Sequence, residues 1–463
     1  MPASPARSEE SRLIKELGLG DLVLAQVLCV VGSSWVGVAA KLGRAHAVFW
    51  FAGILLFYLP LAAVVIRLTR LMPHEGGLYE WAKTGFGPLA GFLTAWNLWV
   101  YAVLTVGAIV FVVPTDLGYI LGPSGAWLAS SKIATLALTG SVVAGITLVA
   151  VHGLDIGKWL HNIGAVCILL AYALLLPLPL WALWRGTIPH YEPIPWQWPE
   201  PTWFSLAVFG QITAGGLSGF EYVAILAGET RGAARNIGRS VVISAPIICL
   251  MFILGTSSVL TFVGNQPINV IGPIPQTFRL ALGNTGLAAM VAPLAISLLI
   301  ARAIASSSLI FTGLTRLPMT AGWDNLLPAW FARLHPRRRT PVNSILFVAA
   351  VVVALILLSM MGVREQEASQ LLTSASAAHY AIAYISLFAI PLAGALRFQM
   401  PLWLKIASAA GVLSSLISVS IAVYPIVDVV SRGTYAVKIS LVVLLSNLAG
   451  AWIYRAGAAE KGA

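Results

Sequence analysis

The stretch Val30-Val31-Gly32-Ser33-Ser34-Trp35-Val36-Gly37 sits in the middle of the apolar run Leu19 to Ala40. A run of about 20 apolar residues is long enough to cross a bilayer as a helix. Two glycines and two serines at mid-depth weaken that helix, and it is expected to break inside the membrane. Broken backbone at that depth leaves N–H and C=O groups without partners, which is tolerated only where they line a cavity or meet something polar. The break therefore reads as a binding site.

Working outward, composition fixes the class. Of 463 residues, 59% are hydrophobic and 10% charged, with a mean hydropathy of +0.88. A soluble chain would carry roughly 25% charged residues, so this is a polytopic membrane protein. The net charge of +11 would suggest nucleic acid in a soluble protein. Here the placement of the charges matters more than their sum, and no nucleic-acid partner is expected. The tail 1–18 carries Glu9, Glu10 and Glu16 among its basic residues and lacks the cleavage-like region of a signal peptide. Cys29, Cys167 and Cys249 lie far apart inside apolar spans and read as buried thiols. They form no disulfide framework and no metal pattern, and no cofactor is expected.

Twelve spans are expected, near 19–40, 46–69, 88–113, 132–152, 157–184, 203–227, 239–263, 286–316, 342–361, 371–394, 402–427 and 435–454. The even number returns both termini to one side. That side carries 19 Lys and Arg against 8 on the other, with Arg302 inside a span. The positive-inside rule then places both termini in the cytoplasm, with the basic loop Arg333 to Arg339 facing the same way. The loop 185–202, rich in Pro and Trp, reads as an interfacial segment outside.

Span 6 repeats the peculiarity of span 1. Ala214-Gly215-Gly216-Leu217-Ser218-Gly219-Phe220-Glu221 again puts glycines and a serine in mid-helix, now with an acid. The two breaks are five spans apart, and an odd offset reverses orientation. Spans 1 to 5 (19–184) and 6 to 10 (203–394) therefore read as inverted copies, followed by two further helices in 395–454 and a tail 455–463. Glycine-interrupted segments at matching places in two halves point to a transporter substrate site near the membrane midplane.

Four motifs carry a resemblance. They are Gly32-Ser33-Ser34-Trp35, Pro73-His74-Glu75-Gly76-Gly77-Leu78-Tyr79-Glu80-Trp81 before Phe86-Gly87-Pro88, Ser218-Gly219-Phe220-Glu221 followed by Glu229-Thr230-Arg231, and Arg316 through Asp324-Asn325-Leu326-Leu327-Pro328 to Thr340-Pro341. With these the chain resembles the amino acid/polyamine/organocation permeases over spans 1 to 9. The resemblance implies an all-helical LeuT-like fold, a five-plus-five inverted repeat with helices 1 and 6 broken and two extra helices. It also implies transport of amino acids or related amines by alternating access, in the plasma or bacterial inner membrane. The expected partners are a small amino acid and the surrounding lipid, and an accessory subunit is not readable from the sequence.

By the family's pattern, the N–H groups and hydroxyl around Gly32, Ser33 and Ser34 would hold a carboxylate. Carbonyls near Val30, Gly215 and Ser218 would take the amino group. The sequence departs from that pattern where Ser34 replaces a glycine. The aromatic gate of span 6 is also missing, and Trp35 is expected to supply that bulk from the other broken helix. Arg302 is a charge near mid-span, costing about 2.5 to 3.5 kcal/mol on insertion scales. It is expected, with Ser306, to stand in for a lysine that many family members carry where this chain has Ile168, six residues beyond Asn162. Arginine keeps its proton, so exchange or facilitation is expected rather than sodium coupling. Proton coupling stays open through Glu221, His161 and His379. Tyr101, Phe311 and His379 or Tyr380 are expected on the side-chain wall. A membrane enzyme is disfavoured because the seven histidines are scattered and no Walker-type phosphate loop is present. A channel or a non-transporting sensor would be set apart by the absence of counterflow.

Overall fold

The computed structural model describes residues 17–72, 77–125, 127–219, 230–283, 288–320, 328–336, 338, 340–394 and 399–462. The apolar runs fold as helices, and among the described residues the sole β pairing is an isolated bridge between Leu17 and Thr230. In chain order the first half holds α1 Leu19–Val30, α2 Ser33–Ala40, α3 Gly43–Leu71, α4 Leu78–Phe86, α5 Pro88–Gly125, α6 Lys132–His152 and α7 Ile156–Trp184. The second half holds α8 Trp203–Gln211, α9 Ala233–Val263, α10 Pro273–Leu282, α11 Ala288–Thr320, α12 Val342–Ser359, α13 Glu365–Ala393, α14 Leu402–Ile421 and α15 Arg432–Gly462.

Ten of the described helices are long and apolar enough to cross a membrane, or eleven where the bent pair α1–α2 is counted as one span. The expected sixth span begins at α8 and leaves helical geometry after Gly216, before residues 220–229, which lie outside the described set. Local chemistry accounts for several ends and bends. Thr202 starts α8 with a reciprocal cap, its hydroxyl accepting from the Ser205 N–H while the Ser205 hydroxyl accepts from the Thr202 N–H. Inside α3, the wider turn Ile54–Tyr58 ends two residues before Pro60, whose ring and missing N–H disrupt a regular ladder.

Burial separates the centre from the rim. The most apolar windows of α5, α13 and α11 are 78%, 72% and 67% buried, against 11% for α15. The first three therefore form the middle of the molecule, and α15 presents most of its surface outward. That surface is apolar, as at Leu445 and Trp452, which suits a helix facing lipid. α15 is nonetheless tied to α5, because the Trp96 indole donates to the Ser446 carbonyl at 2.8 Å and the Asn97 amide to Asn447 at 2.7 Å. In the centre, α7 and α11 approach so closely that a Cβ on Gly164 would overlap the Ala305 methyl. Ile168, one turn along α7, is fully buried.

Candidate substrate site at the two helix breaks

The first break falls where the glycine-serine cluster placed it. Val31 and Gly32 are extended, and α2 restarts at Ser33, bent 44° from α1. The Val31 N–H closes α1 on the Val27 carbonyl at 2.9 Å, and the Trp35 N–H reaches the Gly32 carbonyl at 3.3 Å. Between them stand the first N–H groups of α2, which a helix start leaves without intrahelical partners. They form the positive end of that short helix.

The second break differs in kind. α8 passes into the widened turn Ile212–Gly216, the Leu217 N–H closes it on the Ile212 carbonyl at 2.8 Å, and the chain then leaves the helix. Gly219 takes φ +120°, a conformation that side chains oppose, and its N–H donates to the Tyr384 hydroxyl at 3.1 Å. The Ser218 hydroxyl turns back onto the Gly215 carbonyl at 3.0 Å. This end of the helix offers carbonyls where the first break offers N–H groups.

Trp35 bridges the two. A Cβ on Gly215 would overlap its indole, and one on Gly32 would stand 2.8 Å from its Cδ1. The indole thus lies over the space that a side chain at 215 would use. Around it is a cavity of about 60 Å³, several times the roughly 10–15 Å³ that one water needs. Cys29, Gly32, Ser34 and Trp35 line it from the first break, Gly215 from the second, and Tyr101 and Thr105 from α5. The polar side chains Ser369, Gln370, Thr373 and Ser376 face it from α13, and Val270 and Ile271, just before α10, complete the wall.

Arg302 reaches this cavity from α11, with only 4% of its surface exposed. Its Nη2 donates to the Leu28 carbonyl, near the end of α1, at 3.3 Å, while its Nε has no hydrogen-bond partner among the described residues. It therefore does not reach outward to the surface. Ser306 is fully buried one turn further on, its hydroxyl off the cavity wall and without a hydrogen-bond partner among the described residues. Val30 and Ser33 are buried beside the break without bordering the cavity, and Ser218 is occupied by its bond to Gly215. Phe311 is buried in the core, away from the cavity. Tyr101 borders the cavity and stacks on Tyr380, ring centres 3.6 Å apart, and Tyr380 stacks in turn on Tyr384. His379 points elsewhere, its Nδ1 paired with the Ala375 carbonyl at 2.7 Å and its Nε2 with the Ser446 hydroxyl at 2.6 Å. His161 pairs with the Ser308 hydroxyl at 3.3 Å. Glu221 lies outside the described residues.

Two acids escaped the sequence reading. Asp116 is fully buried, neither carboxylate oxygen has a hydrogen-bond partner among the described residues, and Arg302 acts on it electrostatically. It stands one turn beyond Val112, which lines the cavity. Glu365, one turn before Ser369, accepts from the Thr115 hydroxyl at 2.7 Å. Both were assigned to loops because the expected spans stop at 113 and start at 371, whereas α5 runs to 125 and α13 begins at 365. The polar Thr115-Asp116 step within an otherwise apolar run was the available signal.

The rim beyond these acids is strapped together. Arg279 on α10 donates to the Tyr119 and Ile120 carbonyls at 2.6 and 2.5 Å, and Arg44 pairs with Glu192. Half-buried Lys41 beside it is held below its ordinary range by burial, with Asp428 pulling the other way. At the opposite end, Asp21 accepts from Asn162 at 2.9 Å and from the Gly18 N–H at 2.8 Å, and meets Lys158 at 3.4 Å. The start of α1 is thereby tied to α7.

The two breaks thus meet around one small cavity with both polar and apolar walls. Comparisons with known proteins place the chain in a family. The chain is 24% identical over 389 residues to an uncharacterized transporter of Legionella pneumophila, covering 84% of this chain and 82% of that one. It is 25% identical over 347 residues to the large neutral amino acids transporter small subunit 2 of Mus musculus, with 72% and 63% covered. It is 23% identical over 262 residues to a probable agmatine/putrescine antiporter of Lactococcus lactis, with 56% and 55% covered. The model of the amino acid permease family matches residues 22–446, and the chain belongs to that family of membrane transporters.

Proposed function

We propose that the protein is a secondary transporter that carries α-amino acids across the membrane by alternating access, as an exchanger or facilitator. The observation that carries this is the meeting of the two breaks across one cavity, with Trp35 lying over Gly215 and Arg302 in the wall. The N–H groups at the start of α2 and the Ser34 hydroxyl receive the substrate carboxylate. The carbonyls at the ends of α1 and of the Ile212–Gly216 turn receive its ammonium. Each contact is charge-assisted and about twice as strong as a neutral hydrogen bond. Trp35 closes the cavity in place of an aromatic from the second break.

In this reading the chain makes twelve spans, the first ten as two inverted five-helix units and the last two beside them, with both termini cytoplasmic. Arg302 holds the Leu28 carbonyl with a fixed positive charge and repels sodium. The test is uptake of labelled amino acids into proteoliposomes with and without unlabelled amino acid inside. Internal amino acid should accelerate uptake, and a sodium gradient should not drive it. Absence of saturable uptake in a broad amino acid panel would overturn the proposal, leaving a sensor.

Proton-coupled symport has one observation in its favour, the buried carboxyl of Asp116 beyond the cavity, which has no hydrogen bond among the described residues. An inward proton gradient that stimulates net uptake in the wild type and not in Asp116→Asn would favour that mode over exchange.

A further inference from the structure

Far from the cavity, on the side of the molecule where α1 begins, two helices bring three arginines to one groove of about 700 Å³, and α1 adds a third wall. Arg70 comes from the last turn of α3, Arg235 and Arg239 from the first turns of α9, and Leu19 from the start of α1. All three arginines are exposed, and none of their side chains makes an ion pair or hydrogen bond among the described residues.

This placement is electrostatically unfavourable on its own. Arg235 and Arg239 are four residues apart on one helix face, where like charges repel. They also lie in the first two turns of α9, at the end whose backbone dipole is positive, and the first turn holds no acid to balance them. Three like charges converging on a positive helix end call for an anion. The groove's fourth wall says which kind. Val242 and Ile243, one turn along α9 from Arg239, line the same groove and are 65% and 43% exposed. A guanidinium cluster that continues without interruption into exposed apolar surface, at the end of two membrane-spanning helices, matches a phosphate headgroup with acyl chains below it.

We propose that this groove is a binding site for an anionic phospholipid, its phosphate held by Arg70, Arg235 and Arg239 and its chains lying along Val242 and Ile243. Arginine suits the task because its planar fork meets phosphate oxygens two at a time. The site joins the start of α1, which leads to the first break, with the ends of α3 and α9. A bound lipid therefore steadies the lower part of the broken helix against its neighbours.

The test reads binding rather than transport, so its outcome is separate from that of the substrate reading. The purified full-length protein in neutral detergent is melted with added dioleoylphosphatidylglycerol, dioleoylphosphatidylcholine or inorganic phosphate. Phosphatidylglycerol should raise the melting temperature by several degrees, and the other two should not. Arg235→Gln combined with Arg239→Gln should remove most of that rise. Arg70→Gln, a change at an exposed helix end, should reduce it and should lower by one the number of phosphatidylglycerol molecules retained in native mass spectrometry. An equal rise with inorganic phosphate would overturn the lipid assignment in favour of a soluble anion. An undiminished rise, or unchanged lipid retention, in the arginine variants would overturn the site.

Discussion

The two breaks solve the same problem by opposite means. At the first, two extended residues separate α1 from α2, and the chain restarts at once as a helix that presents donors and a large indole. At the second, α8 loosens into a wide turn, and the backbone leaves the helix through Gly219, held by Tyr384 from α13. The first break thus carries the bulk and the second carries the vacancy for it. Charge divides less cleanly, because the first break offers N–H groups at the head of α2 and carbonyls at the tail of α1, whereas the second offers carbonyls at the tail of α8. Arg302 consolidates the donor-rich side by taking one of α1's carbonyls. The lesson is that a pseudo-matching pair of interruptions need not share side-chain roles, because an aromatic can close the cavity from either one.

The largest effect should come from reversing that division. Gly215→Phe puts a ring where the indole already lies, and overpacking of this kind costs roughly 1–3 kcal/mol. Transport should fall at least about tenfold. Trp35→Ala should alter apparent affinity or substrate range, and adding Trp35→Ala to Gly215→Phe should recover much of the loss by moving the aromatic to the other break. Failure of the double variant to exceed both single variants in the uptake assay would show that the indole does more than fill space.

Next comes the charge. Arg302→Lys keeps a cation at the Leu28 carbonyl, yet a desolvated lysine loses its proton far more readily than an arginine. Transport by the variant should depend on pH more steeply than the wild type, with activity changing as the ammonium deprotonates on raising the pH. A pH profile identical to the wild type would contradict the assignment of Arg302 as the fixed charge.

The smallest effect in this series belongs to the anchor of the second break. Tyr384→Phe removes the acceptor for the Gly219 N–H and leaves the ring stack intact, a loss of about 1 kcal/mol for one neutral hydrogen bond. Uptake should drop roughly fivefold, since 1.4 kcal/mol corresponds to tenfold. No change would mean that the Gly219 turn is held by the chain itself.

Much of this was legible in the residues. Gly32 with Ser33 and Ser34 announced a break because no apolar span keeps such a cluster without reason, and the structure interrupts the helix there. The run Ala214 to Gly219 announced the second for the same cause. Arg302 stood out as a charge deep in an apolar span, and its burial follows from a tether to a carbonyl that another break makes available. The direction of side chains was less legible. Phe311 and Tyr101 are both aromatic residues on central helices, and only packing shows that one fills the core while the other borders the cavity. Asp116 was hidden by a boundary. Hydropathy ends the span at 113, before the acid, whereas α5 continues to Gly125 because neighbouring helices bury the Thr115-Asp116 step.

The central claim is that the N–H groups at the head of α2 and the carbonyls at the ends of α1 and of the Ile212–Gly216 turn grip the two charges of a zwitterion. Competition against labelled substrate tests it directly, using an amino acid that inhibits uptake, its amide, which lacks the carboxylate, and its deaminated acid, which lacks the ammonium. Loss of a charge-assisted hydrogen bond costs about 1.5–3 kcal/mol, so each truncated analogue should inhibit at least about tenfold less well than the parent. If either analogue inhibits as strongly as the amino acid itself, the breaks do not hold the substrate in this way.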